Sequence, residues 1–168
     1  MDSTAAGRER DRDATGRARN ARPRDALGRP LARDAAGQPV MPDDLQVTPA
    51  WALTTAQQLL DEGRPFHAHE VLEAAWKSAE PAERDLWQGL AQLAVGLTHA
   101  LRGNGAGAAA LLRRAAQRLE AYAGDSPHGI DTTGLISAAN ALAARIDDEG
   151  VTGLQPTDLR FRLSRESG

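Results

Sequence analysis

The chain has 168 residues, 41% of them hydrophobic, with 20 basic and 23 acidic side chains and a formal net charge of −3. That is enough for one domain with a core and too little for two full ones, and so balanced a charge marks neither a nucleic-acid binder nor a strongly acidic surface. Cysteine is absent, which excludes a disulfide framework, a thiolate metal site and a cysteine nucleophile.

The charge is unevenly spread. Lys77 is the one lysine among 20 basic residues, and nine arginines precede residue 34. The chain starts with charged residues instead of an apolar leader, and no run approaches the ~18 apolar residues of a membrane span. The expectation is a soluble cytoplasmic protein with no membrane partner. Residues 1–47 are dense in Gly, Pro, Arg and Asp with no helical period, and "DATG", "DALG" and "DAAG" at 13, 25 and 34 resemble successive turns. This Arg/Gly/Pro-rich arm reads either as a disordered tail or as an extended segment lying over the body. Its acidic residues cut its charge to about +3 by Asp34, too little to predict a nucleic-acid partner.

From residue 48 the pattern is helical. Thr48 as N-cap, Pro49 at the first helical position and Gly63 beyond the end bracket a first helix. A second opens at Pro65 and runs to about Ser78. A third spans Pro81 to Arg102, with Leu86, Leu90, Leu93 and Leu97 at the 4-3-4 spacing of a buried stripe. A fourth covers about 106–123 with Leu112, Ala115, Leu119 and Tyr122 on one face. Asp131 caps a fifth that turns Leu135, Ala139, Leu142 and Ile146 inward.

The tail alternates Leu159, Phe161 and Leu163 with Arg160 and Arg162, as a short extended strap would, but the sequence offers it no partner strand. The predicted fold is all-α, a single bundle of about five helices built from helix hairpins. It divides into the arm (1–47), a helical domain (48–150) and a C-terminal extension (151–168). Shifting the chain by 40 residues superposes Gly63, Ala68, Leu72 and Ala75 on Gly103, Ala108, Leu112 and Ala115. Four matches in an Ala-rich chain suggest two similar hairpins, with a tetratricopeptide-like relation as a distant alternative.

The polar residues of interest lie on the second and third helices. His69 and Glu73 are four apart and share a face, with Glu70 beside them, whereas His67 lies about 200° from His69. "HEVLE" is one letter from H-E-x-x-H, in which two histidines bind zinc and the glutamate acts as base. Here Glu73 replaces the second histidine, so a third ligand is needed. His99, in line with Gln88 and Gln92 on the third helix, is the candidate.

Antiparallel packing of helices two and three would set His69, Glu70 and Glu73 against Gln88, Gln92 and His99. Three readings of that seam stay open: groups that hydrogen-bond one another across it, a divalent transition-metal site on His69, Glu73 and His99 with Glu70 as base, and a metal-free pocket. The glycines at 103, 105 and 107 follow no strand, so they read as a tight helix–helix turn holding Asn104, not as a phosphate loop. No serine sits in a nucleophile elbow. His128 falls in a loop, and the three tryptophans read as core or seam aromatics.

With "HEVLEAAW" at 69–76 and "WQGLAQLAVGLTHALRGNGAGA" at 87–108, the chain closely resembles the bacterial family known as domain of unknown function 309, over roughly residues 50–123. His69, Glu70, Leu72, Glu73 and Trp76 match one signature element. Gln88, Gly89, Leu90, Gln92, His99, Gly103, Asn104, Gly107 and Ala108 match the other. Lys77 stands where arginine is commoner. The head of the chain and "PHGID" resemble one subgroup, which favours an ordered arm.

The resemblance implies an all-helical fold and carries no established activity. The leading expectation is therefore a non-catalytic domain that binds a protein partner or a small ligand. The rival is a metal-dependent, hydrolase-like enzyme using the seam, and a second alternative is weak nucleic-acid binding through the Arg-rich arm.

Overall fold

The computed structural model describes residues 47–165. The readings made for residues 1–46 and for the last three residues lie outside the described residues. Five α-helices form the body: α1 (Pro49–Asp61), α2 (Pro65–Ser78), α3 (Arg84–Leu101), α4 (Gly105–Leu119) and α5 (Thr132–Glu149). Each packs chiefly on the helix next in sequence, so the body is a serial array of antiparallel neighbours.

The helix ends follow from local chemistry. Thr48 Oγ1 accepts from Trp51 N at 3.2 Å, and Asp131 Oδ1 accepts from Gly134 N at 3.1 Å. Asn104, expected in the turn and among the polar seam residues, is an N-cap, its Oδ1 accepting from Gly107 N at 3.0 Å. The stretch from Pro81, expected to be α-helical, begins instead as a 3-10 turn over Pro81–Glu83. Another 3-10 turn, Glu120–Tyr122, ends the fourth helical segment.

The 40-residue shift has a structural basis. After α1, Gly63 takes φ +73°, and the amides of Gly63 and Arg64 donate to the carbonyls of Leu60 and Leu59. After α3, Gly103 takes φ +82°, and Gly103 and Asn104 donate to Ala100 and His99 in the same pattern. Both are Schellman turns, which need a left-handed residue that glycine supplies without steric cost. The helices that follow start at Pro65 and Gly105. Their equivalent residues Ala68, Leu72, Ala75 and Ala108, Leu112, Ala115 are all buried. Two like hairpins are thus laid side by side.

All four leucines of the expected α3 stripe are buried, and so are Leu135, Ala139, Leu142 and Ile146 of α5. On α4, Leu112, Ala115 and Leu119 are buried, whereas Tyr122 lies beyond the helix, half-exposed, its hydroxyl donating to Ala82 O at 2.7 Å. Gly89 and Gly96, seven residues apart on α3, face α4 closely. A Cβ at Gly89 would meet Leu119 at 3.1 Å, and one at Gly96 would meet Leu112 at 3.1 Å. Gly96→Leu is accordingly expected to cost ~1–3 kcal/mol in urea denaturation. Ala110→Leu, on the exposed side of α4, should stay within about 0.5 kcal/mol of wild type. Equal effects at the two sites would contradict the close approach.

The C-terminal strap does have a partner. Ile130 and Ser164 form an isolated antiparallel bridge, with Asp131 N donating to Leu163 O at 2.9 Å and Arg165 N to Gly129 O at 3.0 Å. On its other side the Gln57 amide of α1 imitates a strand, donating from Nε2 to Phe161 O at 2.9 Å and accepting at Oε1 from Leu163 N at 2.8 Å. Phe161 and Leu163 are buried while Arg160 and Arg162 stay exposed, as the alternation requires.

Candidate functional site

On α2 the side chains of Ala68, Val71, Leu72 and Ala75 enter the core, which leaves His69, Glu73 and Trp76 along one flank of that stripe. His69 Nε2 lies 3.5 Å from Glu73 Oε2, and Lys77 Nζ lies 3.8 Å from Glu73 Oε1, so the flank carries an i, i+4 ladder. Phe66 stacks obliquely on His69, ring centroids 5.7 Å apart, and the Arg102 guanidinium sits 5.9 Å from the Phe66 centroid. Trp76 is half-buried against the core, and Glu70 is half-buried on the same helix. His67, set aside by the helical wheel, is in fact buried, its ring edge-on to Phe66.

Burial holds the His69 imidazole below its ordinary pKa. Glu73 pulls the other way, and Lys77 adds a small further depression. The folded state therefore favours neutral His69. The stability this contributes is complete above the unfolded value of about 6.5 and is lost as the pH falls through the lower folded value. Urea midpoints should fall between about pH 7.5 and about pH 5, and the fall should be smaller in His69→Gln. An identical fall in that variant would assign the effect to other groups.

The partners expected across from His69 lie elsewhere. Gln88 and Gln92 face α4, where Arg118 donates to Gln88 Oε1 at 3.0 Å, Gln92 Oε1 at 3.3 Å and Asp85 Oδ1 at 2.8 Å. His99 receives the Asn104 amide on Nδ1 at 3.1 Å, inside the α3–α4 turn. His69, Glu73, Gln88, Gln92 and His99 of the expected seam thus fall into three sets: a ladder on α2, an Arg118-centred network between α3 and α4, and a turn. Among the described residues no group of three or more His, Asp or Glu side chains is arranged to hold a metal ion. In particular His99 does not complete a set with His69 and Glu73. His128 pairs with Glu83 at the start of α3, and its ring lies 6.0 Å from that of Trp87.

A concavity among the described residues lies outside the expected seam. A cleft of about 350 Å³ opens where the α1–α2 turn, the end of α3 and the C-terminal extension meet. Leu60, Pro65, Leu97, Leu101, Leu154 and Leu159 form its apolar wall. Asp61, Glu62 and Arg160 also line it. Leu101 is 37% exposed there, one of two large exposed hydrophobics among the described residues. A signal for it existed in the sequence: Leu101 continues the α3 stripe one turn past Leu97. What faces it, a 3-10 turn at Pro156–Leu159, carries no helical or strand period to announce it.

The family model described as "Domain of unknown function (DUF309)" matches residues 53–111. A curated relative, "Uncharacterized protein YpuF" of Bacillus subtilis (strain 168), is 44% identical over 57 residues, which is 33% of this chain and 33% of that protein. The chain therefore spans about a third of the length of the curated relative it matches. No solved structure matches.

Proposed function

Starting from residues 53–111 as a DUF309 segment, we propose that the protein is a non-catalytic binding domain whose ligand enters the cleft between the α1–α2 turn, the end of α3 and the C-terminal extension. The observation that carries this reading is the cleft itself: about 350 Å³, walled by leucines and prolines, with a few charged groups at its edge. Small-molecule sites are concave and mostly apolar, from about 300 Å³ upward, with few polar groups to orient the ligand. The matched segment supplies the α1–α2 turn and α3, and the extension supplies the opposite wall.

Amide chemical shifts test the reading. Titration with small amphiphiles of different head group should move Leu60, Gly63, Leu101 and Leu154, and leave α5 still. Leu101→Trp fills the space from a position exposed enough to tolerate it, and should abolish the shifts while the protein stays folded. If no amphiphile of any head group perturbs these amides, the binding reading falls.

A further inference from the structure

We propose that the cleft selects a small amphiphile with an anionic head, a medium-chain carboxylate, and that Arg160 is the residue that binds the head. This deepens the binding role proposed above and rests on it. The inference comes from which charged groups at the cleft are already engaged. Glu62 Oε2 takes the Arg64 guanidinium at 3.1 Å, and its Oε1 takes the Gln58 amide at 3.3 Å. Asp61 Oδ1 accepts from the Gln57 amide at 3.0 Å. The negative ends of two helices also lie nearby. In their Schellman turns the carbonyls of Leu59, Leu60, His99 and Ala100 accept from backbone amides.

Arg160 differs. It lines the cleft and is exposed, and no ion pair or hydrogen bond of its side chain is found among the described residues. Its neighbours in sequence hold it in place: Phe161 is buried, and Asp158 is clamped by Arg145 at 2.7 Å and by Gln155 N at 2.7 Å. A guanidinium presents up to five donors in a planar fork suited to a carboxylate. The apolar wall would take the chain of such a ligand, and Arg160 its head.

The test compares decanoate, decanol and decylammonium on the full chain. Decanoate should bind at least about tenfold more tightly than the other two. Arg160→Gln should remove about tenfold of its affinity, leave decanol unchanged, and leave thermal unfolding as in wild type. Equal binding of decanoate and decanol, or preference for decylammonium, overturns the carboxylate assignment while leaving the binding role standing. Unchanged decanoate affinity in Arg160→Gln overturns Arg160 as its partner. Failure of all three probes to bind removes the binding role itself.

Discussion

Replacing Trp87 with alanine is expected to lower the unfolding free energy by ~3–5 kcal/mol, a large part of the margin of a domain of this size. Trp87 sits in the first turn of α3, 1% exposed, in the core cluster. Its indole also backs His128, whose backbone is left-handed at φ +53° and whose ring pairs with Glu83. Truncation therefore leaves a cavity and removes the surface on which the α4–α5 loop rests. Urea unfolding of Trp87→Ala should show a lower midpoint. Trp51→Ala provides the contrast, because Trp51 is 42% exposed at the start of α1, and it should cost far less. A Trp87 variant as stable as the Trp51 variant would show that this indole is not a core element.

Ending the chain at Gly150 should cost about 3–6 kcal/mol, because it strips two buried side chains, Phe161 and Leu163, each worth ~1.5–3 kcal/mol. The loss reaches α1 as well, since the Gln57 amide is left without its two backbone partners on the strap. Gln57→Leu is the smaller form of the same change: it orphans the Phe161 carbonyl and the Leu163 amide, at ~1–3 kcal/mol. The truncated protein should melt well below the full chain and lose amphiphile binding, because Leu154, Pro156 and Leu159 of the cleft go with it. A truncated chain that melts like wild type would mean the strap is an appendage, not part of the body.

Much of the architecture could be read in advance because its causes are local. Thr48 and Asp131 announce helix starts through oxygens that cap their own following amides, and Gly63 and Gly103 announce ends because the turn there needs positive φ. The leucines of α3 repeat at the helical period, so their burial follows from spacing. The resemblance carried by "HEVLEAAW" and the longer element after Trp87 agrees with the family match over residues 53–111.

The candidate site was less legible, and particular residues show why. A helical wheel fixes the angle of Gln88, Gln92 and His99 relative to the Leu stripe of α3, but α3 has two neighbours. Packing decides that the glutamines meet Arg118 of α4, and the turn decides that His99 meets Asn104. The angle of His67 from His69 does not decide its burial, because the buried face of α2 is wide enough to take it in.

The cleft and the strap depend on groups far apart in sequence: Leu60 with Leu97 and Leu159, and Gln57 with Phe161 and Leu163, 104 and 106 residues away. By itself, then, the sequence determined the helices, the ends that a cap or a glycine marks and most of the faces they bury, because capping, backbone conformation and period act within a few residues. Only the tertiary structure decided which polar groups meet and where a concavity opens, because those depend on the distances between elements, which no local pattern encodes.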